Sequence, residues 1–280
     1  MTTYEILDTR NLLLILELRA ALFAFFLIPA LFFVVLLQSM RILRLHRTMD
    51  IFLYSTLVLL IISTSLRWYE TGRPPFQTLY ESLIWFSMVT LLSYLVSIII
   101  TGRDYISGLI VLPLAAGATG YSLFFLDPLP ASLPPALNSR WFFWHAFAAF
   151  SAYAILVVSF AHEFIRILAR DTALRYRMRL FAYKSVLIAF PLLTFAIVSG
   201  AAWAEQAWGR YWSWDPKETW ALATWTIYAA YLHHSHKTKL SGTAASVIGV
   251  LGFIAMVMTF LGVNWLAKLL GVPSIHAYTV

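Results

Sequence analysis

A chain of 280 residues that is 61% hydrophobic, 16% aromatic and only 12% charged carries about half the charge of a soluble globular protein. With a mean hydropathy of +0.77 it reads as an integral membrane protein, and the soluble, disordered, collagen-like and outer-membrane-barrel classes are excluded. The chain has no cysteine, so disulfides, thiolate zinc sites, iron–sulfur clusters and a cysteine nucleophile are excluded, and any metal chemistry falls to histidine or carboxylate. The net charge of +7 comes from basic residues scattered between apolar runs, which reads as membrane topology and not as a nucleic-acid surface.

About 20 apolar residues cross the hydrocarbon core as a helix, and lipid leaves the backbone no other open-chain solution. Eight such runs occur, near Ala20–Met40, Ile51–Trp68, Leu79–Ile100, Ile106–Leu126, Trp141–Leu168, Lys184–Trp203, Glu218–His234 and Ala244–Leu266. The fourth contains Pro113, Gly117 and Gly120, a composition that favours a kink. Before the first run, Met1–Arg19 holds Glu5, Asp8 and Glu17 in place of a basic leader with a small-residue cleavage site, so this segment is expected to be retained. Of the 20 Lys and Arg residues, 12 fall in one set of alternate connections and 8 in the other. The positive-inside rule then puts both termini and the longer loops Arg67–Thr78, Asp127–Arg140 and Ala204–Lys217 outside. The expected fold class is all-α: a polytopic membrane helix bundle of about eight transmembrane helices, one integral-membrane domain over residues 1–280, with a Trp-rich external loop at about 203–225.

That loop concentrates chemistry. Six of the eleven tryptophans lie between Trp203 and Trp225, more than a belt of interfacial aromatics needs. Trp208, Tyr211, Trp212 and Trp214 fall within seven residues and offer flat faces to a large planar ligand. Asp215-Pro216 is a helix start: Asp215 stands where an N-cap belongs, Pro216 at the first helical position and Glu218 in the first turn, where negative charge meets the positive end of the helix dipole. Capping is the first reading of Asp215 and ligand contact the second. Arg210 and Lys217 suit anionic groups, either propionates of a ligand or lipid headgroups.

The run Trp208-Gly-Arg-Tyr-Trp-Ser-Trp-Asp-Pro-Lys-Glu-Thr-Trp220, continued by Trp225-Thr-Ile-Tyr-Ala-Ala-Tyr-Leu-His233, closely resembles the WWD heme-handling motif of the cytochrome c assembly family, in the form of its CcsA (ResC) branch. The resemblance extends to Arg67-Trp-Tyr-Glu-Thr-Gly-Arg-Pro-Pro-Phe-Gln-Thr-Leu-Tyr-Glu-Ser82, and to Gly262-Val-Asn264 followed by Ile275-His-Ala-Tyr278. It covers most of the chain.

Seven histidines occur, at 46, 145, 162, 233, 234, 236 and 276, and a histidine within a span is a functional candidate by cost alone. His46, His234 and His236 lie among basic residues and read as solvated loop positions. His145, one turn into the fifth span, and His276, beyond the eighth, would flank the Trp-rich loop on one side of the membrane. Two imidazoles on opposite faces of a heme make a bis-His iron site; the other reading of His145 is a buried structural histidine. The resemblance implies the heme assignment, since His145 and His276 match the two external iron-ligating histidines of the family, although Leu266–Ser274 departs from the short glycine-containing link expected before the second. His233 follows Pro216 by 17 residues, about 25 Å of helix, so it lies near the inner end of the seventh span. By resemblance it matches the intramembrane histidine that holds heme together with a histidine of a partner subunit. His162, at similar depth and followed by Glu163, is the in-chain alternative partner but reads first as structural.

What the resemblance implies is a role in cytochrome c biogenesis as the heme-handling subunit of a system II heme lyase/synthase. Heme b would be the transported and ligated substrate, bis-His coordinated by His145 and His276 outside and by His233 within the membrane. Trp208, Trp212, Trp214, Trp220, Asp215 and Arg210 would shape its site, and a CcsB/ResB-like membrane subunit and apocytochrome c with a Cys-x-x-Cys-His motif would be its partners. No residue has the pattern of a catalytic acid, base or nucleophile. Such a chain would sit in a bacterial inner membrane or a thylakoid with its termini and WWD loop outside. The alternatives are a HemX-like heme-binding regulator or chaperone without ligase activity, which predicts no outer histidine pair, and a b-type electron-transfer subunit, which needs histidine pairs at mid-bilayer depth. A small transporter would need paired broken helices or mid-bilayer charges. Glu81 reads as a helix N-terminal dipole partner or a salt bridge to a neighbouring arginine, with heme contact as the lesser possibility.

Overall fold

The computed structural model describes residues 3–40, 45–102, 104–130, 134–238 and 243–263. Every regular element among them is helical: α1 Thr3–Ser39, α2 His46–Thr71, α3 Leu79–Ile100, α4 Gly108–Phe125, α5 Arg140–Leu168, α6 Thr172–Trp208, α7 Pro216–Lys237 and α8 Ala244–Val257. A 3-10 turn, Pro135–Leu137, precedes α5, and a π-helical turn, Met258–Gly262, continues α8. Seven of the eight helices are long and apolar enough to cross a membrane, so the chain is a multi-pass integral membrane protein. The exception, α7, carries Trp220, Trp225, two tyrosines and three histidines among its polar and charged residues, which lower its hydropathy without shortening it.

The chain forms two compact units, residues 1–132 and residues 133–279. In the first, α1 packs on α2 and α4, and α3 on α2 and α4; in the second, α5 packs on α6 and α8, and α7 on α6 and α8. Each is thus a closed ring of four helices in chain order, the arrangement that short connections between antiparallel neighbours favour.

Two helices, α1 and α6, begin more than ten residues before the apolar runs at Ala20 and Lys184. The segment expected to precede the first span belongs to α1, and Glu17 within it is 1% exposed. Its carboxylate faces Arg67 at 3.5 Å and accepts from the Tyr80 hydroxyl at 3.1 Å. Arg67 also pairs with Glu81 at 3.1 Å, and Arg73 with Glu81 at 2.7 Å. Glu81 accepts from the backbone N–H groups of Gln77 and Thr78 as well, closing a capping box with Thr78 at the start of α3; both structural roles expected of it are present. Burial of these charges is tolerated because each has an opposite charge or a hydrogen-bond partner.

In the second unit, α6 starts at Thr172, capped by Asp171, where a basic loop is expected up to Lys184. Arg179 is wholly buried. It donates to Glu163 at 2.8 Å and to Ser235 at 3.0 Å, while Glu163 also accepts from the Tyr231 hydroxyl at 2.7 Å and from Ser246 at 2.5 Å. Arg166 donates to Ser246 in turn. This network joins one residue or more from each of α5, α6, α7 and α8, and fixes the register of the ring at one end.

Candidate functional site

At the opposite end of the second unit, the first turns of α5 meet the last turns of α6. Ser139 caps α5 by accepting from the Trp141 N–H at 3.2 Å, and its hydroxyl donates to Gln206 at 2.5 Å. Trp203, buried on α6, donates its indole N–H to the Ala136 carbonyl at 2.7 Å and so ties the 3-10 turn to the helix. Beside this junction opens a cleft of about 670 Å³ lined by Arg140, Trp141 and Trp144 of α5 and by Phe195, Ala202, Glu205 and Gln206 of α6, a size and a partly aromatic lining that suit a cofactor.

His145 is half-buried on α5 next to Trp144. Its Nδ1 lies 2.7 Å from the carbonyl of Ala196. A carbonyl only accepts, so Nδ1 carries the proton and the lone pair of the neutral ring is on Nε2, the form in which histidine ligates a metal while its other nitrogen is anchored. The imidazole stacks on the Trp203 indole, centroids 5.8 Å apart and planes 19° apart. Trp203 in turn packs edge-on against Trp208 at 4.8 Å. His145, Trp203 and Trp208 therefore form one continuous aromatic run.

Trp208 is the last residue of α6, not part of a loop; Gly209 closes the helix in the left-handed conformation, φ +71°, which costs glycine little. The connection to α7 shrinks to residues 209–215. Asp215 is buried and caps α7, its carboxylate accepting from the Lys217 N–H at 2.9 Å. Glu218 reciprocates by accepting from the N–H groups of Ser213 at 2.7 Å and Asp215 at 3.2 Å. Between these two pinned residues Trp214 has φ +59°, rare for a bulky side chain, and its indole is 69% exposed. Trp212, half-buried, packs edge-on against it at 5.9 Å. Arg210 is exposed and Trp220 half-buried on α7.

The remaining histidines part company. His233 stands on the exposed side of α7, turned away from the buried stripe Thr224, Tyr228, Tyr231 and Ser235. His162 is buried on α5 against Phe181, so the pairing of these two within the chain has no support in their placement. His276 lies outside the described residues, and no geometry is assigned to it. The seat of His145 on α6, made by Ala196, Gly200 and Trp203, has no counterpart in the motif. Only the glycine interrupting an apolar run at 200 hints at a close approach.

A family model described as "Cytochrome C assembly protein" matches residues 76–270. The chain is similar to the cytochrome c biogenesis protein CcsA of Guillardia theta, 32% identical over 76% of this chain and 79% of that one. It is similar also to the CcsA of Parasynechococcus marenigrum, 33% identical over 79% and 83%, and to that of Mesostigma viride, 31% identical over 85% and 87%. Among solved structures, the cytochrome c heme lyase CcmF shares the fold, with a TM-score of 0.65 at 17% identity over 89% of this chain and 46% of that one. The chain thus spans just under half of that protein.

Proposed function

The chain belongs to the cytochrome c assembly protein family, in its CcsA branch, and from that premise we propose that it carries heme b across the membrane and presents it to apocytochrome c for covalent attachment. His233, exposed on α7, receives heme at the inner end together with a histidine of a CcsB/ResB-like membrane subunit. His145 and His276 hold the iron at the outer end from its two sides, on the face where the positive-inside rule puts the termini and the Trp-rich loop. Trp208, Trp212, Trp214 and Trp220 offer faces to the porphyrin. Arg210 meets its propionates, and Asp215 keeps the loop in shape. Residues 1–280 act as one domain in a bacterial inner membrane or a thylakoid.

The chemistry is addition of a cysteine S–H across each vinyl C=C: the S–C bond forms at one carbon, the proton ends on the other, and no electrons leave the pair of reactants. The chain contributes position and water exclusion.

The observation that carries this reading is the His145 geometry, an imidazole whose Nδ1–H is anchored on Ala196 at 2.7 Å with an indole at its back. The test is the absorption spectrum of the chain purified with its partner subunit. Six-coordinate low-spin heme is expected, His145→Ala should convert it toward five-coordinate high spin, and added imidazole should partly reverse the change. Heme-free protein from a preparation that contains the partner, or an unchanged spectrum in His145→Ala, overturns the reading. Co-expression with an apocytochrome should give covalent heme; its absence in a competent host removes the ligation role.

A further inference from the structure

We propose that Gly200 is a positioning residue for His145, present so that the α6 backbone can receive the imidazole. The proposal rests on the reading of His145 as an iron ligand. Ala196, Gly200 and Trp203 follow one another at helical spacings of four and three and so share one face of α6. Ala196 supplies the carbonyl that holds Nδ1–H at 2.7 Å, and Trp203 supplies the indole stacked on the ring. Gly200 supplies an empty place. A Cβ built there would stand 2.6 Å from Nδ1 and 2.8 Å from Cε1 of His145.

Contacts that short force the ring to retreat by roughly 0.6–0.8 Å, beyond the roughly 0.5 Å within which a metal ligand must be held. The retreat stretches the bond to Ala196, which fixes the tautomer, and slides the ring along the Trp203 face. Loss of such an anchoring contact costs about 10–100-fold in metal affinity. Glycine in the middle of a helix is otherwise unfavourable relative to alanine, so a glycine at this place is explained by the ring it admits.

The experiment compares wild type, Gly200→Ala, His145→Ala and the double variant, each purified with the partner subunit, by heme spin state and by the imidazole concentration that restores the low-spin form. Gly200→Ala should shift much of the heme to high spin, with His145 ligation weakened about 10–100-fold. The double variant should match His145→Ala in spectrum and in imidazole response, because the added methyl no longer has a ring to strike. If Gly200→Ala keeps the wild-type spectrum while His145→Ala is high spin, the positioning role fails and the ligand assignment stands. If His145→Ala is itself unchanged, the ligand assignment fails first. Should Gly200→Ala not accumulate, the double variant decides: recovery of accumulation on removal of the ring supports the proposal, and continued loss assigns Gly200 to helix packing alone and overturns it.

Discussion

Replacing Glu163 by Gln should be among the most damaging single changes in the second unit, though it alters few atoms. Glu163 and Arg179 approach to 2.8 Å with side chains 0% and 1% exposed. Two unit charges about 4 Å apart at an effective dielectric constant near 20 attract by about 4 kcal/mol, and removing one partner of a buried pair costs about 3–5 kcal/mol because the other is left buried without compensation. The substitution strands Arg179 and also Arg166, whose bond to Ser246 is relayed to the carboxylate by the Ser246 hydroxyl. Arg179→Met should cost less, because Glu163 keeps Tyr231 and Ser246 as donors. Unfolding in mixed micelles, followed by tryptophan fluorescence, measures both, and the double variant gives the coupling, expected at about 2 kcal/mol or more. A Glu163→Gln protein within about 0.5 kcal/mol of wild type, or strictly additive losses, would refute the assignment of this pair as the lock of the ring.

Three further outcomes follow from the site. His233→Ala should lower the heme content of the whole protein, the proposed outer site included, if heme passes it first; normal loading by pyridine hemochrome assay would make it structural. Trp214→Gly should relieve a left-handed backbone worth about 1–3 kcal/mol and so raise the unfolding midpoint while lowering heme occupancy. A variant that is both less stable and fully loaded would oppose that reading. Joint replacement of Trp208, Trp212 and Trp214 by Leu should leave membrane insertion and accumulation near normal yet abolish external heme and cytochrome maturation, whereas an interfacial belt predicts altered insertion with heme retained.

The helices were legible because apolar runs of bilayer length have one structural solution, and the cap of α7 because Asp215-Pro216 and Glu218 satisfy backbone donors by local rules. The starts of α1 and α6 were not. Glu17 and Arg179 lie outside the apolar runs, their partners are 50 and 16 residues away in sequence, and only the closed ring brings them together. His145 was visible as a candidate ligand, but its anchor is a main-chain carbonyl, which leaves no mark in the identity of Ala196. The left-handed Trp214 was hidden for a similar reason: the capping box states that Glu218 holds the Asp215 N–H, but no neighbour's identity states that it also holds that of Ser213.

The two ends of the second unit are stabilised by different forces, and the division suits the heme site proposed around His145. Around Glu163 the helices are locked by charge, with hydroxyl relays that leave little room for exchange of partners. Around His145 no buried ion pair stands among the described contacts; the order there comes from indole and imidazole faces, caps and a single carbonyl. A fixed guanidinium beside the imidazole would disfavour its binding to a cationic iron. Neutral aromatic packing supplies rigidity without that effect, and it presents the apolar faces on which a porphyrin can rest. Charge fixes the ring at the far end, so the end that carries His145 is left to neutral aromatic contacts, as the proposed passage of heme requires.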